Sequence, residues 1–321
     1  MPVVEVAPTV HGDGFRSGRP CVAAAECHVY NRQGREGLQV PAPTGRQPVW
    51  TLFAEAQPDE VEMQTTKQLD RYVRQMVLPE VGEAGQRKLL SSSVAVIGCG
   101  GLGTHIADNL VRAGVGRLKL VDRDRVELSN LQRQILFDEE DAARALPKAE
   151  AAARKLRTFN SQVQIEPLMV EVAQENVGEI VRDVDVVLDG SDNFETRYLV
   201  NDACVKLGIP WIYGGAVASY GMTMTIIPYR TPCLRCVFPE VPPRESAVTC
   251  ATAGILASIV AMVAALECSE ALKLLLGQGE LNEGLIYLDV WENRFEVFSV
   301  ERRAEGCPTC GRGGNRVGET S

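Results

Sequence analysis

A strand–turn–helix–strand pattern between residues 94 and 122 constrains the fold more than any other stretch of the chain. Residues 94–97 are apolar and have the length of a buried strand, and four glycines follow them closely: Gly98, Gly100, Gly101 and Gly103. Apolar residues then recur at helical spacing until Gly114, and a second apolar run ends at Asp122. The pattern predicts a β-α-β unit whose first turn is rich in glycine.

Later apolar runs extend this unit into a larger sheet. The first of them alternate with helical segments, which is typical of parallel strands joined by crossover helices, whereas the later ones are closely connected. Further strands are predicted at residues 163–169, 184–188, 210–217, 222–227, 285–289 and 294–300. We therefore predict an α/β, Rossmann-like doubly wound sheet that is mostly parallel and has antiparallel C-terminal strands.

The glycine turn predicts a nucleotide site. A phosphate can reach the backbone amides at the start of a helix only where no Cβ holds it away. Gly98, Gly100 and Gly103 match the dinucleotide fingerprint, and Asp122 stands where a carboxylate receives ribose hydroxyls. By itself the motif fits NAD, FAD or another nucleotide, and it also fits a turn with a purely structural role.

The polar run after Asp122 favours ATP over NAD. Arginine is a fixed fork of donors that matches phosphate oxygens, and a dehydrogenase has little use for one aimed at a third phosphate. The sequence holds no GxxxxGK[ST] motif, so the P-loop solution to ATP binding is excluded. The candidate nucleotide contacts in this run are Ser129, Asn130, Leu131, Gln132 and Arg133.

Composition argues against two classes of partner. The 321-residue chain has a net charge of -9 and no basic run, so neither nucleic acid nor an anionic membrane is expected to bind it. Residues 1–20 contain no continuous apolar segment of the kind found in signal peptides. Residues 250–266 carry no charge, but small residues within them and charged residues just beyond favour a buried helix over a membrane span. We expect a cytoplasmic protein.

The first part of the chain differs from the rest. Residues 1–65 interleave proline, glycine, arginine and glutamine without apolar periodicity, and we predict a loosely ordered N-terminal extension. Met63 lies just before the main domain, at residues 66–321, and is a candidate translation start.

Four cysteines in two CxxC pairs predict a metal centre within residues 233–310. The pairs are Cys233 with Cys236 and Cys307 with Cys310. A closed Cys₄ set is the arrangement of structural, tetrahedral zinc, which would tie the C-terminal segment to the body of the domain. A redox-active CxxC is the alternative, and the presence of a second pair disfavours it.

Three further positions carry chemistry. Lys148 follows Pro147 in the first turn of a predicted helix, a poor place for a cation unless an anion lies nearby. Asp192 follows a strand and precedes a helix, where a carboxylate suits Mg²⁺ beside phosphates. Cys250 stands immediately before the long apolar helix, whose positive terminus would lower the pKa of a thiol, so it is either a nucleophile or a small buried residue.

Several motifs in one order carry a family resemblance. GCGGLG, DRVELSNLQRQ and, upstream, RYVRQ together resemble the ThiF/MoeB/HesA family of E1-like adenylyltransferases, which activate ubiquitin-like sulfur carriers. The resemblance runs from about residue 71 to residue 310. It implies that Arg74 reaches the γ-phosphate of a neighbouring site across a homodimer, that Lys148 contacts the ATP phosphates, and that Asp192 and Asn193 lie at Mg·ATP.

The resemblance also implies the reaction. We expect adenylation of the C-terminal glycine of a carrier ending in Gly-Gly, with ATP, Mg²⁺ and a structural Zn²⁺, release of pyrophosphate, and sulfur from a separate donor. A carboxylate is already a nucleophile, so no general base is needed. The alternatives are adenylation of a peptide C-terminus or a modified tRNA nucleoside, an NAD-dependent dehydrogenase, and a silent partner subunit of a two-chain enzyme.

Overall fold

The computed structural model describes residues 69–240, 250–303 and 305–311. Within them, eight strands form one sheet in the order β3-β2-β1-β4-β5-β6-β7-β8. The strands are β1 (Ser93–Ile97), β2 (Arg117–Val121), β3 (Gln164–Leu168), β4 (Val186–Asp189), β5 (Trp211–Val217), β6 (Tyr220–Ile226), β7 (Leu285–Asp289) and β8 (Arg294–Phe298). Strands β1 to β5 are parallel, and β6 to β8 are antiparallel. The predicted fold class is confirmed.

Helices cover both faces of the parallel part. They are α1 (Val73–Met76), α2 (Gly82–Ser91), α3 (Gly101–Ala113), α4 (Glu139–Ala143), α5 (Lys148–Phe159), α6 (Val177–Val181), α7 (Phe194–Leu207), α8 (Leu234–Val237), α9 (Cys250–Ala253) and α10 (Ala257–Leu276). Two 3₁₀ turns, Asp70–Tyr72 and Leu128–Asn130, complete the described helical segments.

Alternate residues of the central strands enter two separate cores. Val94 and Val96 of β1 pack with α3, α5 and α10 on one face, whereas Ala95 and Ile97 pack with α6 and α7 on the other. This double burial explains why the strand is apolar throughout instead of alternating with polar residues. The order of the strands reverses between β1 and β4, and open α/β sheets bind their ligands at the carboxyl ends of the strands flanking such a point.

The predicted long helix divides in two. Cys250 begins the short helix α9, and α10 starts only at Ala257. Ala218 interrupts the helix by binding the segment between: its amide donates to Gly254 O, and its carbonyl accepts from Leu256 N, both at 2.9 Å. Gly254 takes a φ of +76°, which suits a residue without Cβ. Cys250 is therefore not at the N-terminus of the long helix, and that part of the prediction is wrong.

The hairpin between β5 and β6 is tighter than predicted, because two residues connect the strands where the predicted strand ends leave four. Val217 pairs with Tyr220, so the turn is Ala218 and Ser219, and Tyr220 already belongs to β6. The predicted extension at residues 1–65 and the candidate start at Met63 lie outside the described residues. Among the helices that the structure describes, none combines the length and the apolar character needed to cross a membrane.

Candidate functional site

The glycine turn closes the carboxyl end of β1 against the end of β4. Gly98 has a φ of +95°, and a Cβ there would lie 2.5 Å from Gly190 O. A Cβ at Gly103 would overlap Gly98 O. These glycines are therefore required for close backbone packing, and Gly190, which the sequence analysis did not single out, belongs to the same contact.

Gly100 and Gly101 face different surroundings. A Cβ at Gly101 would lie 3.0 Å from Val260 of α10, whereas one at Gly100 would have no atom nearer than 3.7 Å. Gly100 is also the N-cap of the thirteen-residue helix α3 and makes no side-chain cap. The first amides of α3 therefore have no side-chain cap, and the start of a helix is the kind of position that accepts a phosphate.

Asp122 braces the turn from the end of β2. Its Oδ2 accepts from Cys99 N and its Oδ1 from Asp124 N, each at 2.7 Å. Burial raises the pKa of Asp122, and the nearby Lys148 ammonium opposes that rise. The carboxylate retains lone pairs for a ribose hydroxyl, so its nucleotide role stays a prediction.

Lys148 turns inward at the start of α5. Its side chain is 9% exposed, and Nζ lies 3.1 Å from Asp124 Oδ2. Its amide donates to Asp124 O at 2.9 Å, and Pro147 is the N-cap, as predicted. Asp124 is thus an anion beside this cation, and Lys148 is not a solvated surface lysine.

The polar run after β2 forms a compact turn beside the glycines. Asn130 Oδ1 accepts from Glu127 N at 3.1 Å, so this amide side chain holds the turn together. Arg133 donates to Ser129 O at 3.0 Å, and its Cγ would contact a Cβ at Gly101. Of the other predicted contacts, Leu131 is half-buried and Gln132 is exposed.

Gln134 is a polar group in this run that the sequence analysis did not assign. It is 3% exposed, its Nε2 would lie 4.0 Å from a Cβ at Gly100, and its buried Oε1 has no hydrogen-bond partner among the described residues. Only the fold reveals it, because the residue type alone does not distinguish a buried glutamine from an exposed one.

The loop after β4 presents Asp192 to solvent. Asn193 is the N-cap of α7, since its Oδ1 accepts from Thr196 N at 2.8 Å, and its Nδ2 lies 3.3 Å from Asp192 Oδ1. Asp192 is exposed and has no ion pair with the described residues. An exposed carboxylate at a strand's carboxyl end, without a protein cation, fits a Mg²⁺ ligand.

A buried ion pair holds this loop from beneath. Arg197 Nε donates to Asp189 Oδ2 at 3.0 Å, and its Nη2 donates to Ser191 O at 2.9 Å and to Gly214 O at 3.1 Å. Asp189 Oδ1 also accepts from the amide and hydroxyl of Ser191, at 2.9 and 2.6 Å. Asp189 thus caps the turn, as expected, and in addition anchors an arginine that the sequence analysis missed.

Cys250 lies between the two halves of the site. Its thiol is half-buried, with Sγ 3.9 Å from Ala216 O. Burial raises the pKa of Cys250; the charges of Arg133 and Arg197 oppose that rise, and Asp192 adds to it. The expected lowering is wrong, because a four-residue helix has little dipole and burial dominates. The charges of Arg133 and Asp192 thus both act on this thiol.

Arg74 lies apart from these groups in its own chain. It is exposed on α1 and forms no ion pair with the described residues, while Arg71 donates to Phe159 O at 2.9 Å. Arg71 and Arg74 do not share one regular helix, because a 3₁₀ turn ends at Tyr72 and α1 begins at Val73.

The four predicted zinc ligands converge. Their Sγ atoms all lie within 4.8 Å of one another, with Cys233–Cys236, Cys233–Cys307 and Cys236–Cys310 separations of 3.9, 3.6 and 3.5 Å. Tetrahedral zinc with Zn–S bonds of about 2.3 Å separates its sulfurs by about 3.8 Å. The set therefore fits a closed zinc centre, and this convergence disfavours independent redox pairs.

Asp202 of α7 binds a residue of each CxxC segment next to the cysteine cluster. Its Oδ1 accepts from Thr309 Oγ1 at 2.7 Å, and its carboxylate forms a salt bridge with Arg235 at 2.8 Å. One carboxylate thus fixes a residue from each CxxC pair, which orients the ligands as metal sites require.

Comparison with known proteins is consistent with this geometry. The model of the ThiF family matches residues 72–309. The chain is 47% identical to a sulfur carrier protein ThiS adenylyltransferase of Bacillus subtilis, over 75% of this chain and 71% of that one. It is 45% identical to a sulfur carrier protein adenylyltransferase of Thermus thermophilus, over 77% and 92%. The crystal structure of Escherichia coli MccB with ATP matches with a TM-score of 0.64 and 25% identity, over 75% and 74%.

Proposed function

Because the chain belongs to the ThiF family of E1-like adenylyltransferases, we propose that it transfers AMP from ATP to the C-terminal carboxylate of a ubiquitin-like sulfur carrier. The observation that supports this most directly is the crevice at the ends of β1 and β4. Arg133 packs against the start of α3, the Lys148 charge acts on Asp122 at the end of β2, and the exposed Asp192 follows β4.

ATP binding follows from these groups. The amides at the start of α3 receive a phosphate, and Asp122 receives ribose hydroxyls at the end of β2. Arg133 and Lys148 provide positive charge for the β- and γ-phosphates, and Lys148 exchanges its contact with Asp124 for one with phosphate. Asp192, Asn193 and the polar turn of residues 129–132 complete the nucleotide contacts.

The chemical step is a substitution at the α-phosphorus. A carboxylate oxygen of the carrier's terminal glycine attacks this phosphorus, the bond to the bridging oxygen breaks, and pyrophosphate leaves with the electron pair. The products are an acyl-adenylate and pyrophosphate. Asp192 would hold Mg²⁺, which would supply positive charge against the leaving phosphates.

The second step delivers sulfur to the carrier. The acyl-adenylate is an activated carboxyl, and a sulfur nucleophile that displaces AMP yields a thiolated carrier. Cys250, whose half-buried thiol is influenced by the charges of Asp192 and Arg133, is the proposed group for capturing the acyl group transiently. The sulfur itself comes from a separate donor, and the product serves molybdopterin or thiamine biosynthesis or a related sulfur transfer.

A homodimer would complete the site. Arg74 is exposed and unpaired with the described residues, and its neighbours Val77 and Leu78 are 69% and 53% exposed. An exposed apolar segment beside a free guanidinium suits a contact between two copies, in which Arg74 reaches the γ-phosphate of the partner's site.

The four buried cysteines hold structural zinc, and we place the protein in the cytoplasm.

The alternatives differ in substrate. Family membership leaves an NAD-dependent dehydrogenase without support. The intact set of Arg133, Lys148 and Asp192 argues against a silent subunit. Adenylation of a peptide C-terminus or a modified tRNA nucleoside remains the second candidate, since it would use the same phosphate contacts.

Mass spectrometry of the carrier tests the proposal. Purified enzyme is incubated with Mg·ATP, pyrophosphatase and a carrier ending in Gly-Gly, and the carrier should gain the mass of an adenylyl group, which is AMP less one water. The matched control is the same carrier lacking its last glycine, which should remain unmodified. Unmodified carriers together with an adenylated peptide or tRNA would contradict the proposal and establish the second candidate.

A further inference from the structure

A buried acid behind the crevice has no part in the proposed reaction. Glu267 of α10 is fully buried, and neither carboxyl oxygen has a hydrogen-bond partner among the described residues. Three residues along the same helix, buried Glu270 accepts from Thr225 Oγ1, Lys273 Nζ and Asn282 N at 2.9, 2.6 and 2.8 Å. A buried carboxylate on this helix can therefore have all its hydrogen-bond partners, as Glu270 does, whereas the Glu267 carboxyl has none among the described residues.

The Glu267 carboxyl occupies a space left by a glycine. A Cβ at Gly214 of β5 would overlap Glu267 Oε1 and lie 3.0 Å from Oε2. Gly214 pairs with Thr223 of β6, whose hydroxyl is also buried without a partner among the described residues. Because directly paired residues of antiparallel strands point to one face, Thr223 and Glu267 share a polar pocket between α10 and the sheet.

The charges around this pocket leave Glu267 without a counter-ion. Arg197 pairs with Asp189 at 3.0 Å, and the same guanidinium donates to Gly214 O, the residue against which Glu267 packs. Gly214 lies between the two groups, because its carbonyl accepts from Arg197 while its Cα packs against the Glu267 carboxyl. The ion pair of this guanidinium is with Asp189. An ionised carboxylate buried without a partner is very costly, so Glu267 holds a proton.

The pKa of Glu267 agrees with this assignment. Burial raises it well above its ordinary value, and the Asp189 charge adds to the rise, whereas Arg197 and the nearby backbone amide of Asp189 oppose it. Tyr213 of β5 and Cys268 of α10 also interact with the carboxyl, while β6 presents Thr223. On the other sides of α10, α3 carries His105 and Asp108, and Lys88 of α2 binds Leu276 O at the far end of the helix.

We infer that protonated Glu267 is a positioning residue for adenylation, which supports the Asp189–Arg197 pair and through it the loop that carries Asp192. Arg197 is the link, because it binds Asp189, Ser191 O and Gly214 O at once. A neutral carboxyl behind this pair leaves Arg197 wholly to Asp189, whereas a second negative charge would compete for it. The catalytic part of this inference rests on the proposed function.

The proton itself is tested without any activity. Unfolding of the wild type, Glu267→Gln and the control Glu270→Gln is followed from pH 5.5 to 8.5. If the pKa of Glu267 is higher in the folded state than in the unfolded state, the carboxyl does not lower the stability of the protein below the unfolded-state pKa of about 4.3. As the pH rises from there toward the folded-state pKa, the free energy of unfolding falls progressively. For as long as the folded-state carboxyl keeps its proton, the unfolding equilibrium of the wild type should therefore shift relative to Glu267→Gln by about tenfold per pH unit.

The stability of Glu270→Gln relative to the wild type should not increase with pH in this way, because the Glu270 carboxylate is paired and hydrogen-bonded. A constant offset between the wild type and Glu267→Gln across this range would overturn the assignment of the proton.

The positioning role is tested with a pair of substitutions at the same site. Glu267→Leu removes the polar group, and Glu267→Gln retains a neutral one of the same shape. We expect the half-saturating Mg²⁺ concentration for ATP-pyrophosphate exchange to rise about tenfold in Glu267→Leu and to stay within about twofold of the wild type in Glu267→Gln, since one such factor corresponds to a modest loss of ligand orientation. Glu267→Met replaces the leucine variant if that variant does not fold.

Equal Mg²⁺ dependence in all of these variants would overturn the positioning role while leaving the adenylation proposal intact. If instead the wild type shows no exchange with any carrier, the proposed function has failed, and Mg²⁺-dependent binding of ATP, measured by calorimetry in the same variants, decides the positioning role.

Discussion

Lys148 Nζ lies 3.1 Å from Asp124 Oδ2 while its side chain is 91% removed from solvent. A buried ammonium whose only ion pair among the described residues is one half-exposed carboxylate is held in place yet can exchange its partner. The proposed function assigns this ammonium to the phosphates of ATP, for which it would give up its contact with Asp124.

Removing this cation should abolish most of the activity. Lys148→Ala is expected to lower ATP-pyrophosphate exchange by about 100-fold, because a charged contact to the developing phosphate charge is lost. The matched control is Lys155→Ala on the same helix, whose surface pair with Asp138 is unrelated to the crevice. Similar exchange rates in the two variants would show that Lys148 has no role at the phosphates.

The zinc centre should determine the stability of the domain. Each chain is expected to contain one zinc by elemental analysis, and Cys310→Ser should lose it. A loss of about 4 kcal/mol would lower the Tm of a chain of this size by about 10 °C. Cys204→Ser, at a buried cysteine outside the cluster, should keep the metal. Full zinc content in Cys310→Ser would contradict a four-cysteine site.

Cys250 should be a slow nucleophile until the pH is high. Burial raises the pKa of Cys250, so the reactive thiolate is a minor form at neutral pH. The thiolate fraction increases as the pH approaches and passes about 8.5, the ordinary pKa of a cysteine thiol. Alkylation by iodoacetamide, located by mass spectrometry, should therefore rise continuously from pH 7 to pH 9.5. A rate that is already maximal at pH 7 would show a thiolate and contradict the effect of burial.

Local patterns predicted the parts of the site that are close in sequence. The glycine turn and the proline before Lys148 each depend on neighbouring residues, and the structure has them in place. The two CxxC pairs are distant in sequence, but their residue type and spacing identify them as partners.

The missed parts depend on contacts between distant elements. Arg197 lies in a helix whose sequence gives no sign that its guanidinium turns inward to Asp189 and Gly214. Glu267 is buried only because Gly214, more than fifty residues earlier, lacks a side chain. The break before α10 likewise arises from backbone bonds to Ala218, which no periodicity in the helix itself reveals.

The most direct test of adenylation compares carrier-dependent ATP-pyrophosphate exchange in the wild type, Asp192→Ala and the control Glu179→Gln, an exposed residue of α6 paired only at the surface with Arg182. We predict exchange that requires a Gly-Gly carrier in the wild type and the control, and a fall of about 100-fold or more in Asp192→Ala, because the proposed Mg²⁺ ligand is lost. Unaltered exchange in Asp192→Ala, or exchange that ignores the carrier, would contradict the account.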